Sequence, residues 1–259
     1  MARSVLTPDQ VQQYHHDGFL LVRGMLSDDK IALVERAANE DRAIDQQVGS
    51  DGSKSDAARL SIWFDPSDTI YGAVARSASI VDAAETLLRD EAYHFQSNMA
   101  FKEARVGAAS SWHQDYAPWY RDGVLFPNLT VAFIAVSPAT RENGCLEMIQ
   151  CSHHLGRIDH DMSGKQPSAD SDRVADVLKR LPLVYVTMDA GDVVYFHANT
   201  LHRSDRNNSD RSRWSMLCYY NAKSNTPDKE IDYWRYRPLI KLPDEAIIEA
   251  ANKRFATAG

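Results

Sequence analysis

Two short segments, Trp112-His113-Gln114-Asp115 and Leu201-His202-Arg203-Ser204, carry most of the structural information in this 259-residue chain. In an extended strand, side chains two residues apart project from the same face, so His113 and Asp115 are expected to point the same way. A second imidazole from a distant strand would complete a set of two histidines and one carboxylate. That set leaves about half of an octahedral metal open and typifies non-haem Fe(II) oxygenases.

The region from Tyr93 onward predicts an all-β core. Short apolar segments are separated there by Gly, Asn, Pro and Asp, which is typical of an antiparallel sandwich or barrel. The predicted strands span 93–100, 111–115, 130–136, 145–149, 183–187, 192–197 and 214–220.

Helices are predicted to flank this core. Thr7-Pro8-Asp9-Gln10 has the residues of a helix N-terminus, and later helices are expected from Ser27 and over Ser79–Leu88. The remaining predicted helices cover about 174–181 and 243–255. The sequence thus favours one domain over 1–259: a helical region to about 92, a core over 93–222 and a C-terminal helix over about 243–256. Polar loops at 48–58 and 160–175 are expected to act as lids.

Composition excludes several classes of partner. The net charge is −7 with no basic stripe, which argues against nucleic acid or an anionic membrane surface. No stretch reaches the roughly 18 apolar residues of a membrane span. Three cysteines, without Cys-x-x-Cys spacing, predict reduced thiols and a cytoplasmic location.

The residues alone leave the second histidine open between His197 and His202. Trp112, Tyr116 and Trp119 around the His-x-Asp segment would give the metal an aromatic shell. The chain's other histidines are interpreted as surface or structural groups, including His94 in a strand and His160 in a polar loop.

Arg213 follows His202 by eleven residues, across a polar turn. A hairpin of that length would bring Arg213 back beside His202, where its guanidinium could hold a dicarboxylate by a charge-assisted fork. The alternative is a surface arginine in a basic turn, because three other arginines lie close by.

Taken together, these motifs resemble the phytanoyl-CoA dioxygenase family of Fe(II)- and 2-oxoglutarate-dependent oxygenases. The similarity covers most of the chain, although Gln150-Cys151 stands where the family typically has Pro-Gly. The segments that carry it are His16-Asp17-Gly18-Phe19, Trp112-His113-Gln114-Asp115, Asn143-Gly144-Cys145-Leu146-Glu147, Ser152-His153, Gly191-Asp192, Leu201-His202-Arg203-Ser204 and Arg213.

The resemblance implies an α+β chain whose core is a double-stranded β-helix, that is, a cupin-like jelly roll. It also implies that O2 is a cosubstrate together with 2-oxoglutarate. It implies iron ligands His113, Asp115 and His202. It also implies a role for Arg213 and Ser204 in binding 2-oxoglutarate. The cofactor-binding set is completed by Gln96, Lys102 and Trp119, and the expected substrate contacts are Asn98, Tyr116, Arg121 and Arg203.

The implied reaction is hydroxylation of an unactivated C–H bond, with release of succinate and CO2. Asp115 favours hydroxylation over halogenation, because related halogenases replace this carboxylate with a small residue. Similarity to ectoine hydroxylases around Trp119 predicts a small zwitterionic substrate, either an amino acid or betaine or an aminoalkyl phosphonate. The alternatives are an acyl-CoA or secondary-metabolite hydroxylase, a cupin-like metal enzyme without 2-oxoglutarate, and a non-catalytic binding protein.

Overall fold

The computed structural model describes residues 5–48, 59–161, 167–227 and 235–256. Seven α-helices lie in these ranges: α1 Pro8–Asp17, α2 Asp28–Val48, α3 Ile70–Ala75, α4 Ala78–Leu88, α5 Tyr116–Arg121, α6 Ser171–Leu178 and α7 Ala246–Ala256. The strands are β1 Phe19–Val22, β2 Arg59–Trp63, β3 Ala92–Lys102, β4 Ser110–His113, β5 Leu129–Ala135, β6 Leu146–Ile149, β7 His160–Asp161, β8 Ser168–Ala169, β9 Leu183–Val186, β10 Val193–His197, β11 His202–Ser204 and β12 Arg213–Ala222.

Two antiparallel sheets form the core. The larger has the strand order β1-β10-β5-β12-β3-β2, and the smaller has the order β4-β11-β6-β9. Side chains of both sheets share one apolar cluster that includes Phe133 of β5, Met148 of β6 and Val186 of β9, so the sheets pack face to face. The predicted jelly roll with flanking helices is confirmed.

The central strand β5 shows why the larger sheet is covered on both faces. All seven of its residues are buried. Val131 and Phe133 pack between the sheets, whereas Ala132 and Ile134 belong to a second cluster formed with the helices. A strand buried on both faces is continuously apolar rather than alternating.

The helical region fastens to the outer face of the larger sheet. The Tyr195 hydroxyl of β10 donates to the Ile80 carbonyl of α4 at 3.2 Å. The Tyr220 hydroxyl of β12 donates to the Ala75 carbonyl of α3 at 2.8 Å. Both phenols are buried, and these bonds give their hydroxyl groups the hydrogen-bond partners that buried polar groups need.

The predicted start of α1 is confirmed in detail. Thr7 caps the helix and Gln10 completes a capping box, with Pro8 in the first turn. The predicted loop at 48–58 lies almost wholly outside the described residues, and the strand β2 that follows was missed. The predicted lid at 160–175 contains the β7–β8 pair and the start of α6, while residues 162–166 lie outside the described part.

Within the ranges that the structure covers, no helix is long and apolar enough to cross a bilayer.

The turn containing Cys151, where the family typically has glycine, keeps a left-handed backbone with φ of 64°. A side chain at such a position costs roughly 1–2 kcal/mol.

Gly18 ends α1 in the left-handed region, with φ of +85°. A Cβ there would lie 2.4 Å from His153 Nδ1, whereas a Cβ at Gly24, with φ of +57°, meets nothing within 4 Å. Replacing either glycine with alanine costs roughly 1–2 kcal/mol, because the added Cβ disfavours the left-handed backbone conformation. Gly18→Ala is expected to lower the free energy of unfolding by a further ~1–3 kcal/mol through overpacking. Urea unfolding of both variants measures this, and equal losses would contradict it.

Candidate active site

Two histidines and a carboxylate meet at the edge of the smaller sheet. Strands β4 and β11 pair so that His113 lies opposite His202, with ring centroids 4.1 Å apart. Asp115 Oδ1 lies 3.5 Å from His113 Nε2 and 3.8 Å from His202 Nε2. One ligand atom from each residue lies within 4.8 Å of the others. The spacing suits a single metal ion.

The position of Asp115 corrects one step of the sequence argument. Strand β4 ends at His113, and Asp115 adopts a helical backbone (φ −61°, ψ −27°) immediately before α5. Alternation along a strand therefore does not align His113 with Asp115. The turn into α5 brings the carboxylate beneath the two rings instead.

Backbone carbonyls fix the orientation of both imidazoles. His113 Nδ1 lies 2.8 Å from the Ser111 carbonyl, and His202 Nδ1 lies 3.0 Å from the Thr200 carbonyl. Since a carbonyl only accepts, each Nδ1 carries a proton and donates it. Each Nε2 then faces Asp115, which is the arrangement of ligand histidines in metalloproteins.

Burial and the charges of the neighbouring residues set the protonation of all three side chains. Burial and the neighbouring His113 lower the pKa of His202 to about 4, so its ring is neutral near pH 7. Burial opposes ionisation of Asp115, but the two histidines outweigh it and hold the pKa of Asp115 below its ordinary value. Burial likewise opposes protonation of His113, but Asp115 outweighs it and raises the pKa of His113. Asp115 Oδ2 is buried without a hydrogen-bond partner, which suits a bound cation.

His197, the rival candidate, lies elsewhere. Its Nδ1 accepts a hydrogen bond from the Asn199 backbone at 3.1 Å, and its ring packs near His153. His94 is buried with Nε2 2.7 Å from Ser97 Oγ, as a structural group. His160 was expected in a polar loop, but it lies in β7. Its Nε2 accepts a hydrogen bond from the Gln114 backbone amide at 2.9 Å. Sequence reasoning missed both Gln114 and His160, which carry no recognisable motif beyond His-Gln-Asp.

A buried pair of cations lies beyond the histidine–carboxylate face. Arg213 of β12 pairs in register with Lys102 of β3, and the two are 4% and 2% exposed. Arg213 Nη1 donates to the Gly144 carbonyl at 2.8 Å, while its Nε has no partner. No carboxylate among the described residues forms an ion pair with this guanidinium. Buried charges are normally paired, so the site is built for an anion.

Lys102 joins this pair to the metal-ligand strand β11. Its Nζ donates to Ser204 Oγ at 2.7 Å and to the Asp205 carbonyl. Burial and the nearby positive charge of Arg213 lower the pKa of Lys102 to about 7. Ser110 Oγ lies 3.0 Å from Ser204 Oγ and completes a small hydroxyl cluster.

The two histidines and the carboxylate line one cavity of about 380 Å³ together with the buried cations and their serines. Its inward residues follow β3 and β12, from Lys102 and Arg213 at one end to Gln96 and Tyr219 at the other, which are also paired in register. The second end is neutral and aromatic. Its lining comprises Ile62, Gln96, Asn98, Pro118, Trp119, Leu217 and Tyr219.

Gln96 and Trp119, both predicted to contact the cosubstrate, lie away from the buried cations. Gln96 is six residues along β3 from Lys102, a span of roughly 20 Å in a strand. Trp119 packs edge-on against Phe95 and Tyr219, at 5.2 and 5.3 Å between centroids. Both line the neutral end of the cavity, together with Asn98.

Three predicted substrate contacts lie outside the described lining of the cavity. The Tyr116 hydroxyl is buried and donates to the carbonyls of Val124 and Leu125. Arg203 turns outward, pairs with Glu147 at 3.0 Å and packs over the Trp112 ring. Arg121 is exposed in the last turn of α5. The described lining of the cavity includes none of Tyr116, Arg121 and Arg203.

Fold and site together define a jelly-roll protein with a two-histidine, one-carboxylate metal face beside a buried cationic pocket. The chain belongs to the phytanoyl-CoA dioxygenase family, whose sequence profile matches residues 14–215.

Relatives with described activities cover most of the chain. L-proline trans-4-hydroxylase of Streptomyces griseoviridis is 30% identical over 85% of this chain and 88% of its own length. Ectoine dioxygenase of Bordetella bronchiseptica is 27% identical over 85% and 77%. The EctD structure from S. alaskensis with 2-oxoglutarate and 5-hydroxyectoine superposes with a TM-score of 0.77 at 21% identity, over 94% of this chain and 90% of that one. This last likeness establishes the shared fold.

The Lys102 amine is expected to titrate near pH 7 in the ligand-free protein, because burial and Arg213 both disfavour its charge. Replacing Arg213 with Met removes one of these causes and should raise the midpoint. NMR of 13C-labelled lysine ε-carbons measures this, with exposed Lys223 as the internal control. A Lys102 midpoint above 9 in the unaltered protein would contradict the expectation.

Proposed function

We propose that this chain is an Fe(II)- and 2-oxoglutarate-dependent dioxygenase that hydroxylates a C–H bond of a small zwitterionic molecule. The overall reaction converts substrate, 2-oxoglutarate and O2 into hydroxylated substrate, succinate and CO2. One observation carries the proposal: a two-histidine, one-carboxylate face shares a cavity with a buried guanidinium that has no acidic partner among the described residues.

His113, Asp115 and His202 would hold the iron. Their imidazole nitrogens and single carboxylate are the donors of the facial triad, and the unpartnered Asp115 Oδ2 suits a cation. Iron bound there would supply the activation of dioxygen and the oxidation of the C–H bond. The chain itself contributes fixed ring orientations and an ionised carboxylate.

Arg213, Lys102 and Ser204 would bind 2-oxoglutarate at its far carboxylate. A guanidinium offers a two-pronged donor to a carboxylate, and the Lys102 ammonium adds a second positive charge. A dianion favours the protonated form of Lys102, so cosubstrate affinity is expected to fall as pH rises above about 7. Ser204 Oγ, already bonded to Lys102, can donate its own proton to the same carboxylate.

The neutral end of the cavity would bind the substrate through Gln96, Asn98, Trp119 and Tyr219. A volume of about 380 Å³ shared with the cosubstrate fits a small molecule. Relatives named for L-proline and ectoine support a cyclic amino acid or related zwitterion. The phosphonate alternative loses its support, because Arg121 and Arg203 do not line the cavity.

The whole of 1–259 would act as one catalytic domain. Strand β1 near the start of the chain pairs with β10 of the core, and α7 near its end packs against α2 and α3. The partner is a small molecule, with no nucleic acid or membrane. A cytoplasmic location agrees with three cysteines that form no disulfide.

Arg213→Met is expected to raise the KM for 2-oxoglutarate about 10- to 150-fold. Losing a charge-assisted fork costs roughly 1.5–3 kcal/mol, and each 1.4 kcal/mol is a factor of ten. Succinate release with Fe(II) and ascorbate measures it, with exposed Arg211→Met as the matched control. A metal enzyme that does not use 2-oxoglutarate would instead show no succinate and no sensitivity to Arg213.

Succinate release should respond to substrate class. Cyclic amino acids such as proline and its ring homologues, and ectoine-like zwitterions, are expected to stimulate turnover above the substrate-free rate. Phosphonates and acyl-CoAs are expected to have little effect, and mass spectrometry should find a product 16 Da heavier. Stimulation by an acyl-CoA alone would contradict the proposed substrate class but not the use of 2-oxoglutarate.

A further inference from the structure

We infer that Gln114 and His160 are positioning residues that hold the metal-binding turn in place, an inference that rests on the proposed iron site. Gln114 lies between His113 and Asp115 in sequence and is 0% exposed. The strand pairing that aligns the histidines stops at His113, so Asp115 lies beyond the end of the ladder. Another set of contacts must fix it.

The Gln114 side chain supplies most of these contacts. Its Nε2 donates to the carbonyls of Gly156 and Asn199, each at 2.8 Å, and its Oε1 accepts from the Ile158 backbone at 2.7 Å. Both amide protons and the oxygen are therefore used. Asn199 precedes His202 by three residues, so one side chain joins the turn that carries Asp115 to the segment that leads to His202.

His160 holds the backbone of the same turn. Its Nδ1 faces the Ile158 carbonyl at 2.8 Å and must donate, which leaves Nε2 as the acceptor for the Gln114 amide at 2.9 Å. On the other side, the Tyr116 amide donates to the Ala198 carbonyl at 3.1 Å. The amides on both sides of Asp115 are thus tied to separate segments, and the carboxylate between them has a fixed direction.

The consequence is a preformed ligand set. Residues that orient metal ligands without touching the metal typically change metal affinity 10- to 100-fold when they are replaced. Gln114→Met keeps the length of the side chain and removes all three bonds. Gln114→Glu keeps the shape of the side chain but places an acceptor opposite two carbonyls, so it is expected to lower metal affinity more than Gln114→Met does.

The experiment measures Co(II) affinity and thermal stability for the unaltered chain and its variants. Asn225→Leu is the matched control, because the buried Asn225 amide also makes three hydrogen bonds, to Phe126 and Asn221, and none of these residues belongs to a possible metal-ligand group of the described part. Gln114→Met is expected to lose Co(II) affinity 10- to 100-fold and to alter the visible Co(II) spectrum. Asn225→Leu should share any loss of Tm but keep the affinity and the spectrum.

A second pair of variants tests His160 without metal. His160→Leu removes the acceptor and is expected to speed hydrogen exchange of the Gln114 amide in the metal-free protein. His160→Gln offers a carbonyl oxygen in its place and should restore both slow exchange and Co(II) affinity. Gln114→Met and His160→Leu binding Co(II) within twofold of the unaltered chain would overturn the inference. An unaltered chain that binds no Co(II) or Fe(II) would instead overturn the proposed function.

Discussion

The short antiparallel pairing of β4 with β11 is the constraint on which the site depends. It sets His113 directly opposite His202 and so decides which imidazoles can share a ligand. A shift of one residue would turn either ring to the other face of the sheet. The pairing is only a few residues long and is interrupted by a bulge. Strand β11 also pairs on its other side with β6, where His202 lies opposite the fully buried Met148. The metal face is thus as rigid as the smaller sheet behind it.

The cavity concentrates positive charge where folding alone would avoid it. Several other cations of the described residues are paired with carboxylates, as Arg203 is with Glu147 and Arg254 with Asp41. Arg213 and Lys102 lie side by side instead, and burial lowers the pKa of Arg213 to about 10 and that of Lys102 to about 7. An arrangement that costs stability without an internal partner is typical of a binding site, because the ligand provides the missing charge.

Much of this architecture could be predicted from the sequence, and the failures have physical causes. Turn residues and apolar segments predicted the β core, and the Thr7–Gln10 capping box predicted α1, because both signals are local. The place of Asp115 was reached by the wrong route, since a helical turn rather than strand alternation aligns it. The positions of Tyr116 and Arg203 outside the cavity lining could not be predicted, because a sequence does not show which face of a strand or helix meets the cavity. Gln114 and His160 were missed because their partners are backbone groups, which carry no sequence signal.

The layout of the cavity explains how such a site can change its substrate without losing its chemistry. Strands β3 and β12 present Lys102 and Arg213 at one end and Gln96 and Tyr219 at the other, on the same faces of the same strands. Side chains this far apart along a strand share no contacts, and substitutions at such a separation act independently. Residues at the neutral end can therefore vary while the cations and the metal face keep their geometry. Because His113, Asp115 and His202 line the same cavity, any molecule seated against Trp119 and Tyr219 shares that cavity with the same three residues.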